Sequence, residues 1–172
     1  PTSLGLIRVR DASVPTIEDI SNNVFSILLL QLTSPIGGEG WTIGASKNIT
    51  WNSNGISSIK IEYSTNGGTN WDLIQGTHPA NTGSYSWTIP NAPSSQVKVK
   101  ISDASIPAIK DSTAGNFTIG KITLLAPVTG NHWQAGSTKE IQWNATTGIN
   151  NVKIEYSTNS GSSWNTITNS TN

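Results

Sequence analysis

Residues 103–119, DASIPAIKDSTAGNFTI, restate residues 11–27, DASVPTIEDISNNVFSI, so Asp103 stands 92 positions after Asp11. The same offset carries Pro35 onto Pro127, Trp41 onto Trp133, Gly44 onto Gly136, Ile49 onto Ile141 and Trp51 onto Trp143. After a one-residue insertion the offset becomes 93, and GISSIKIEYSTNGGTNW at 55–71 maps onto GINNVKIEYSTNSGSSW at 148–164. A period of this length is one small domain with enough residues to bury its own core. The sequence is out of frame with that period: residues 1–28 read as the C-terminal part of one repeat, 29–120 as a complete repeat, and 121–172 as the N-terminal part of a further one. Arrays of this kind usually hold, space or adhere rather than catalyse.

Charge narrows the partners. The formal net charge is zero and 12% of residues are charged, so the chain has neither a basic field for nucleic acid nor a polybasic patch for a membrane surface. Its most apolar run, VFSILLLQL at 24–32, is far short of the roughly 20 residues that span a bilayer. Cysteine is absent, which removes disulfides, thiolate nucleophiles and cysteine-ligated zinc. Methionine is absent too, including at position 1, and the sequence is therefore expected to be a processed or excerpted product. The wealth of Ser, Thr, Asn and Gly suits polar strand faces and turns better than helices, and the expectation is an all-β extracellular protein.

Alternation locates the strands. Leu30 and Leu32 open the complete repeat ahead of Pro35, as Ile122 and Leu124 open the next ahead of Pro127. KNITW turns Ile49 and Trp51 inward; ISSIKIEYS puts Ile59, Ile61 and Tyr63 on one face and Lys60 and Glu62 on the other. Asn66-Gly67 then suits the positive backbone angles of a tight hairpin turn, with TNWDLI as the returning strand. SYSWTIP points Tyr85, Trp87 and Ile89 inward, QVKVKIS buries Val97, Val99 and Ile101, and NFTI adds Phe117 and Ile119 before only Gly120 and Lys121 lead onward. These runs predict seven short strands in a two-layer antiparallel sandwich, stiffly joined to its neighbours.

The series P-x-x-G-E-x-W-x-x-G, I-T-W, I-K-I-E-Y-S-T-N-G-G-T-N-W, G-S-Y-S-W-T-I-P, V-K-V-K-I-S-D-A-S and D-x-S-x-x-x-F-x-I resembles the immunoglobulin-like repeats of bacterial secreted, multidomain surface proteins. More distantly it is similar to fibronectin type III modules, which likewise place Trp on the second strand and Tyr on the third, and to the Ig-like module of fungal Ser/Thr-rich cell-wall proteins. The resemblance covers nearly the whole chain. It implies a fold and an extracellular setting rather than a chemistry.

Several residues invite a functional reading. The seven tryptophans suggest a sugar-stacking platform, but Trp41, Trp51 and Trp71 recur as Trp133, Trp143 and Trp164, and Trp51 and Trp87 share inward parity with aliphatic neighbours, as core aromatics do. Trp71 and Trp164, beside the hairpin turn, are the pair expected at the surface. Asp11 and Asp19, repeated as Asp103 and Asp111, offer oxygens to calcium; two carboxylates fall short of six to eight ligands, and a turn in which each Asp bonds its own backbone is preferred. Glu62 and Glu155 stand next to Lys60 and Lys153 and can face Lys98 and Lys100 across the sheet. His78 and His132 occupy non-equivalent places outside any triad or metal-ligand pattern. Asn48, Asn116, Asn144 and Asn169 each begin an Asn-x-Ser/Thr sequon.

No catalytic, cofactor or metal site is therefore expected. The expected role is a structural component of an extracellular fibre, stalk or surface layer, whose partners are copies of itself or adjacent Ig-like repeats. The alternative is an adhesin or a carbohydrate-binding accessory module of a larger secreted protein, with surface glycans as ligand. The half-repeats at 1–28 and 121–172 expose apolar faces unless they belong to a longer array or the tail half of one molecule meets the head half of the next.

Overall fold

The alternating runs become strands with the faces their parity assigns. In the computed structural model, which describes residues 2–171, the chain is almost wholly β-structure; one 3-10 turn, Ala80–Thr82, interrupts it and no α-helix occurs among the described residues. In chain order the first strands are β1 (Thr2–Gly5), β2 (Arg8–Arg10), β3 (Glu18–Ile20) and β4 (Phe25–Ile27). The middle of the chain supplies β5 (Leu29–Ser34), β6 (Gly40–Thr42), β7 (Ser46–Asn54), β8 (Ser58–Ser64), β9 (Asp72–Pro79), β10 (Ser84–Thr88), β11 (Ser94–Asp103), β12 (Lys110–Ser112) and β13 (Phe117–Gly120). The last are β14 (Ile122–Ala126), β15 (Gln142–Ala145), β16 (Val152–Tyr156) and β17 (Asn165–Thr171).

In the middle segment β10, β7 and β5 form one sheet, and β6, β13, β11, β8 and β9 a second, with β12 also paired to β11. Inward residues of both sheets share one core containing Leu32, Ile49 and Trp51 from the first and Ile61, Val99 and Phe117 from the second. Trp51 is 3% exposed, and its indole N–H donates to the carbonyl of Ala80 at 2.8 Å, so this core ring leaves no polar atom unpaired. Trp41 packs on Phe117 at 4.8 Å and Trp87 on Tyr63 at 5.1 Å between ring centres. Tyr63 is half-buried rather than enclosed.

Three features differ from the sequence reading. Residues 29–120 hold nine strands, not seven: β6 and β12 are three residues each, too short for alternation to reveal, and β6 runs parallel to β13. The hairpin at Asn66-Gly67 forms, but its loop covers 65–71 and is not a two-residue turn; Gly67 and Gly68 take φ of 70° and 97°, while the Asn66 side chain accepts from Asn70 N–H and the Ser64 hydroxyl accepts from Gly68 N–H. Residues 2–28 form four short strands where the counterparts of QVKVKIS and NFTI would make two, because the counterpart of the long β11 is split into β1 and β2 and β3 stands where β12 does.

Pairing registers recur along the chain. Arg8 opposes Ile20 and Val9 opposes Asp19, as Lys100 opposes Ser112 and Ile101 opposes Asp111. Thr2–Ile27 and Gly5–Phe25 match Ser94–Ile119 and Val97–Phe117. Leu124–Trp143 matches Leu32–Trp51, and Ile154–Thr168 matches Ile61–Gln75. Each terminal pair thus sits at the sequence offset of its middle counterpart.

Candidate functional site

The most polar cluster lies on the outer face of the larger sheet. Glu62 on β8 receives Lys60 at 2.7 Å and Lys100 of β11 at 2.9 Å, while Lys100 also lies 4.2 Å from the centre of the Trp71 ring. Lys98, the other lysine expected to face Glu62, instead opposes Ser64, two residues further along β8. Glu62 is buried beside these two lysines. Burial alone raises its carboxyl, but hydrogen bonds from Lys60 and Lys100, with their charges, outweigh it and hold Glu62 below the usual carboxylate range. A shallow cleft of about 330 Å³ opens here between Lys60, Glu62, Lys100, Asp103 and Lys110. Its one strongly engaged carboxylate is neutralised by two ammonium groups, which suits register and solubility rather than proton transfer.

Asp11 and Asp103 act as turn formers, whereas Asp19 and Asp111, expected to do the same, lie in the middle of β3 and β12. One Asp11 oxygen accepts Ser13 N–H at 2.7 Å and Val14 N–H at 2.8 Å; the bonds from Val14 and Ser13 lower its carboxyl. Asp103 repeats the arrangement with Ser105 at 2.7 Å and Ile106 at 3.1 Å. Asp19 accepts Ile20 N–H and Asp111 accepts Ser112 N–H, and the second Asp111 oxygen reaches Leu32 N–H at 2.8 Å. Among the described residues no group of three or more His, Asp or Glu side chains converges as a metal site. The long Asp111–Leu32 bond had no local sequence signal.

Trp41, Trp51 and Trp87 are core residues, Trp71 is half-buried under Lys100, and Trp164 is 60% exposed. His78 packs edge-on against Trp51 and Tyr85, with Nε2 3.1 Å from the Thr82 hydroxyl; His132 is exposed. The four sequon residues Asn48, Asn116, Asn144 and Asn169 are all exposed.

The largest apolar surfaces are at the two ends. Val9 is 70% exposed where its counterpart Ile101 is fully buried, and Leu124 is 58% exposed where Leu32 is 9%. Ile7, Ile17, Ile27, Trp133 and Tyr156 are exposed in the same way. Within the last segment, Lys121 N–H donates to the Thr146 hydroxyl and Thr146 N–H returns to the Lys121 carbonyl, at 2.8 and 3.0 Å; across the junction Gly148 lies against the Ser94–Ser95 backbone. No family model, curated protein or solved structure matches the chain.

Proposed function

We propose that the chain is a non-catalytic structural component of an extracellular fibre, stalk or surface layer, built from tandem immunoglobulin-like β-sandwich repeats. In this reading residues 29–120 are one complete repeat, 1–28 the end of another and 121–172 the start of a third. The observation that carries it is the recurrence of strand register at one sequence offset in all three segments. A chain that reuses one pairing scheme end to end is built for spacing, and function in such folds otherwise resides in a grafted site. Here Trp41, Trp51, Trp87, His78, Asp103 and Glu62, singled out by the sequence, are engaged in packing, a turn and a structural ion cluster. The close approach of Gly148 to the Ser94–Ser95 backbone, where a Cβ would come within 3.1 Å of the Ser95 nitrogen, favours a joint with little slack.

A second reading, a glycan-binding adhesin or accessory module, draws on the exposed Trp133, Tyr156 and Trp164. Two measurements separate them. Antibodies against the chain should decorate unpermeabilised source cells along filaments or a surface lattice, and a glycan array should show no saturable binding. Label confined to the cell interior overturns the structural reading, and saturable glycan binding lost in Trp164→Ala replaces it with the second.

A further inference from the structure

We propose that Asn54 is a self-modifying site: the backbone nitrogen of Gly55 attacks the Asn54 side-chain amide and converts it to a carboxylate, while the other Asn-Gly pair of the chain, Asn66-Gly67, is kept unreactive by the fold. The inference goes beyond the structural reading above and does not depend on it.

The chain contains two Asn-Gly dipeptides, at 54–55 and 66–67, both in the middle segment. Glycine after asparagine leaves the attacking nitrogen least hindered, because it carries no side chain. All four residues are exposed, so access to water does not separate the two sites. Hydrogen bonding does. The Asn66 side-chain oxygen accepts the Ser64 hydroxyl and the Asn70 N–H, each at 2.9 Å, and the Gly67 N–H donates to the Gln96 carbonyl at 2.9 Å. The Asn66 backbone carbonyl accepts the Thr69 hydroxyl at 3.1 Å. Electrophile, nucleophile and the peptide unit between them are thus all fastened. At the first site no hydrogen bond among the described residues engages the Asn54 side chain or the Gly55 N–H. The adjacent Ser53 hydroxyl donates to the Ala80 carbonyl at 2.9 Å and does not restrain Asn54.

Position in the fold adds to the contrast. Asn54 is the last residue of β7 and pairs with Leu29 at the start of β5. Ring closure must turn the Asn54 peptide unit until the Gly55 nitrogen faces the side chain, and at a strand end that motion disturbs one terminal pair rather than the interior of a ladder. In the following segment the residue before the corresponding Gly148 is Thr147, so the reactive pair is particular to this place.

Water is the only co-reactant. The Gly55 nitrogen bonds to Asn54 Cγ, the Cγ–Nδ2 bond breaks, and the Gly55 proton departs with ammonia. Water then opens the cyclic imide at either carbonyl, leaving aspartate or isoaspartate at position 54. Either product carries a negative charge that the amide lacked, in a chain whose formal net charge is zero. Isoaspartate also lengthens the backbone beside Leu28, whose Cδ2 lies 2.6 Å from where a Cβ on Gly55 would stand.

Incubation of the 172-residue chain at physiological temperature and mildly alkaline pH, followed by peptide mapping in a mass spectrometer, reads both sites at once. Asn54 should be converted on the order of tenfold faster than Asn66, since Asn66 must first release bonds that Asn54 does not make. In urea, which frees both dipeptides, the two rates should converge to within about twofold. Isoelectric focusing of the folded chain should show a new acidic band that Asn54→Gln does not form. Equal conversion of the two sites in the folded chain, faster conversion at Asn66, a ratio that urea leaves unchanged, or an acidic band that persists in Asn54→Gln overturns the inference. So does a folded chain unreactive at Asn54 under conditions that convert the unfolded one.

Discussion

The Asp111 carboxylate accepts the backbone N–H of Leu32 at 2.8 Å, joining β12 at the edge of one sheet to β5 in the other across 79 residues of sequence. The same carboxylate also accepts the Ser112 N–H within β12, so one side chain serves its own strand and ties the two layers together. Asp111→Ala should lower stability by about 1–3 kcal/mol, the range for losing a charge-assisted bond to a partly buried donor. Asp111→Asn, whose amide oxygen still accepts, should lose less. Equal urea midpoints for wild type and Asp111→Ala would show that the bond contributes nothing.

Trp51→Ala removes a nearly fully buried ring and should cost about 3–5 kcal/mol, a large part of the stability of a small domain. Trp51→Phe keeps much of the volume but loses the bond to Ala80, whose carbonyl retains the Ser53 hydroxyl as a donor. Its cost should be clearly smaller, and denaturant melts of the two variants read the difference directly.

Glu62 gives the fold an acid limit. Its folded carboxyl lies below the ordinary glutamate value of 4.5, so its stabilisation is fully present above that value and is lost as pH falls through the lower folded one. Glu62→Gln should destabilise at pH 7 by about 1–2 kcal/mol and show a smaller further loss on acidification below 4.5. Urea melts at neutral and acidic pH in both proteins check the sign; parallel curves would rule the cluster out as the source.

Asp103 tests the calcium alternative. Because one of its oxygens is already shared by Ser105 and Ile106, Asp103→Ala should cost about 1 kcal/mol through the lost turn, with or without calcium. Thermal melts should be the same in calcium and in chelator. A calcium-dependent rise in melting temperature that disappears in Asp103→Asn would instead establish a metal site.

How far the sequence could be read depended on range. The parities of Ile49 and Trp51, of Ile59 and Ile61, and of Val97, Val99 and Ile101 were legible because alternation on a half-buried sheet is a local property, and all seven are buried. The Asp-x-Ser turns were legible for the same reason, since donor and acceptor lie within three residues. The parallel strand β6 and the polar strand β12 were not, because their existence depends on partners far along the chain. Nor was the burial of Glu62: its neighbours along the strand advertise a solvated face, and the two lysines beside it come from two strands.

The interchangeable register also bears on how the chain reaches its native state. KIEYSTN occurs at 60–66, where it pairs with β11, and again at 153–159, where it pairs with β17 and leaves its other edge without a strand among the described residues. During refolding the later copy can dock in the slot of the earlier one, with Lys100 meeting Glu155 as readily as Glu62. Such an exchange has nearly native contacts, so little local penalty drives it apart, and crowded chains can become entangled through it. Sequence divergence on either side of the shared run, ISSI at 56–59 against INNV at 149–152 and DLIQGTH at 72–78 against NTITNST at 165–171, helps to tell the right partner from the wrong one.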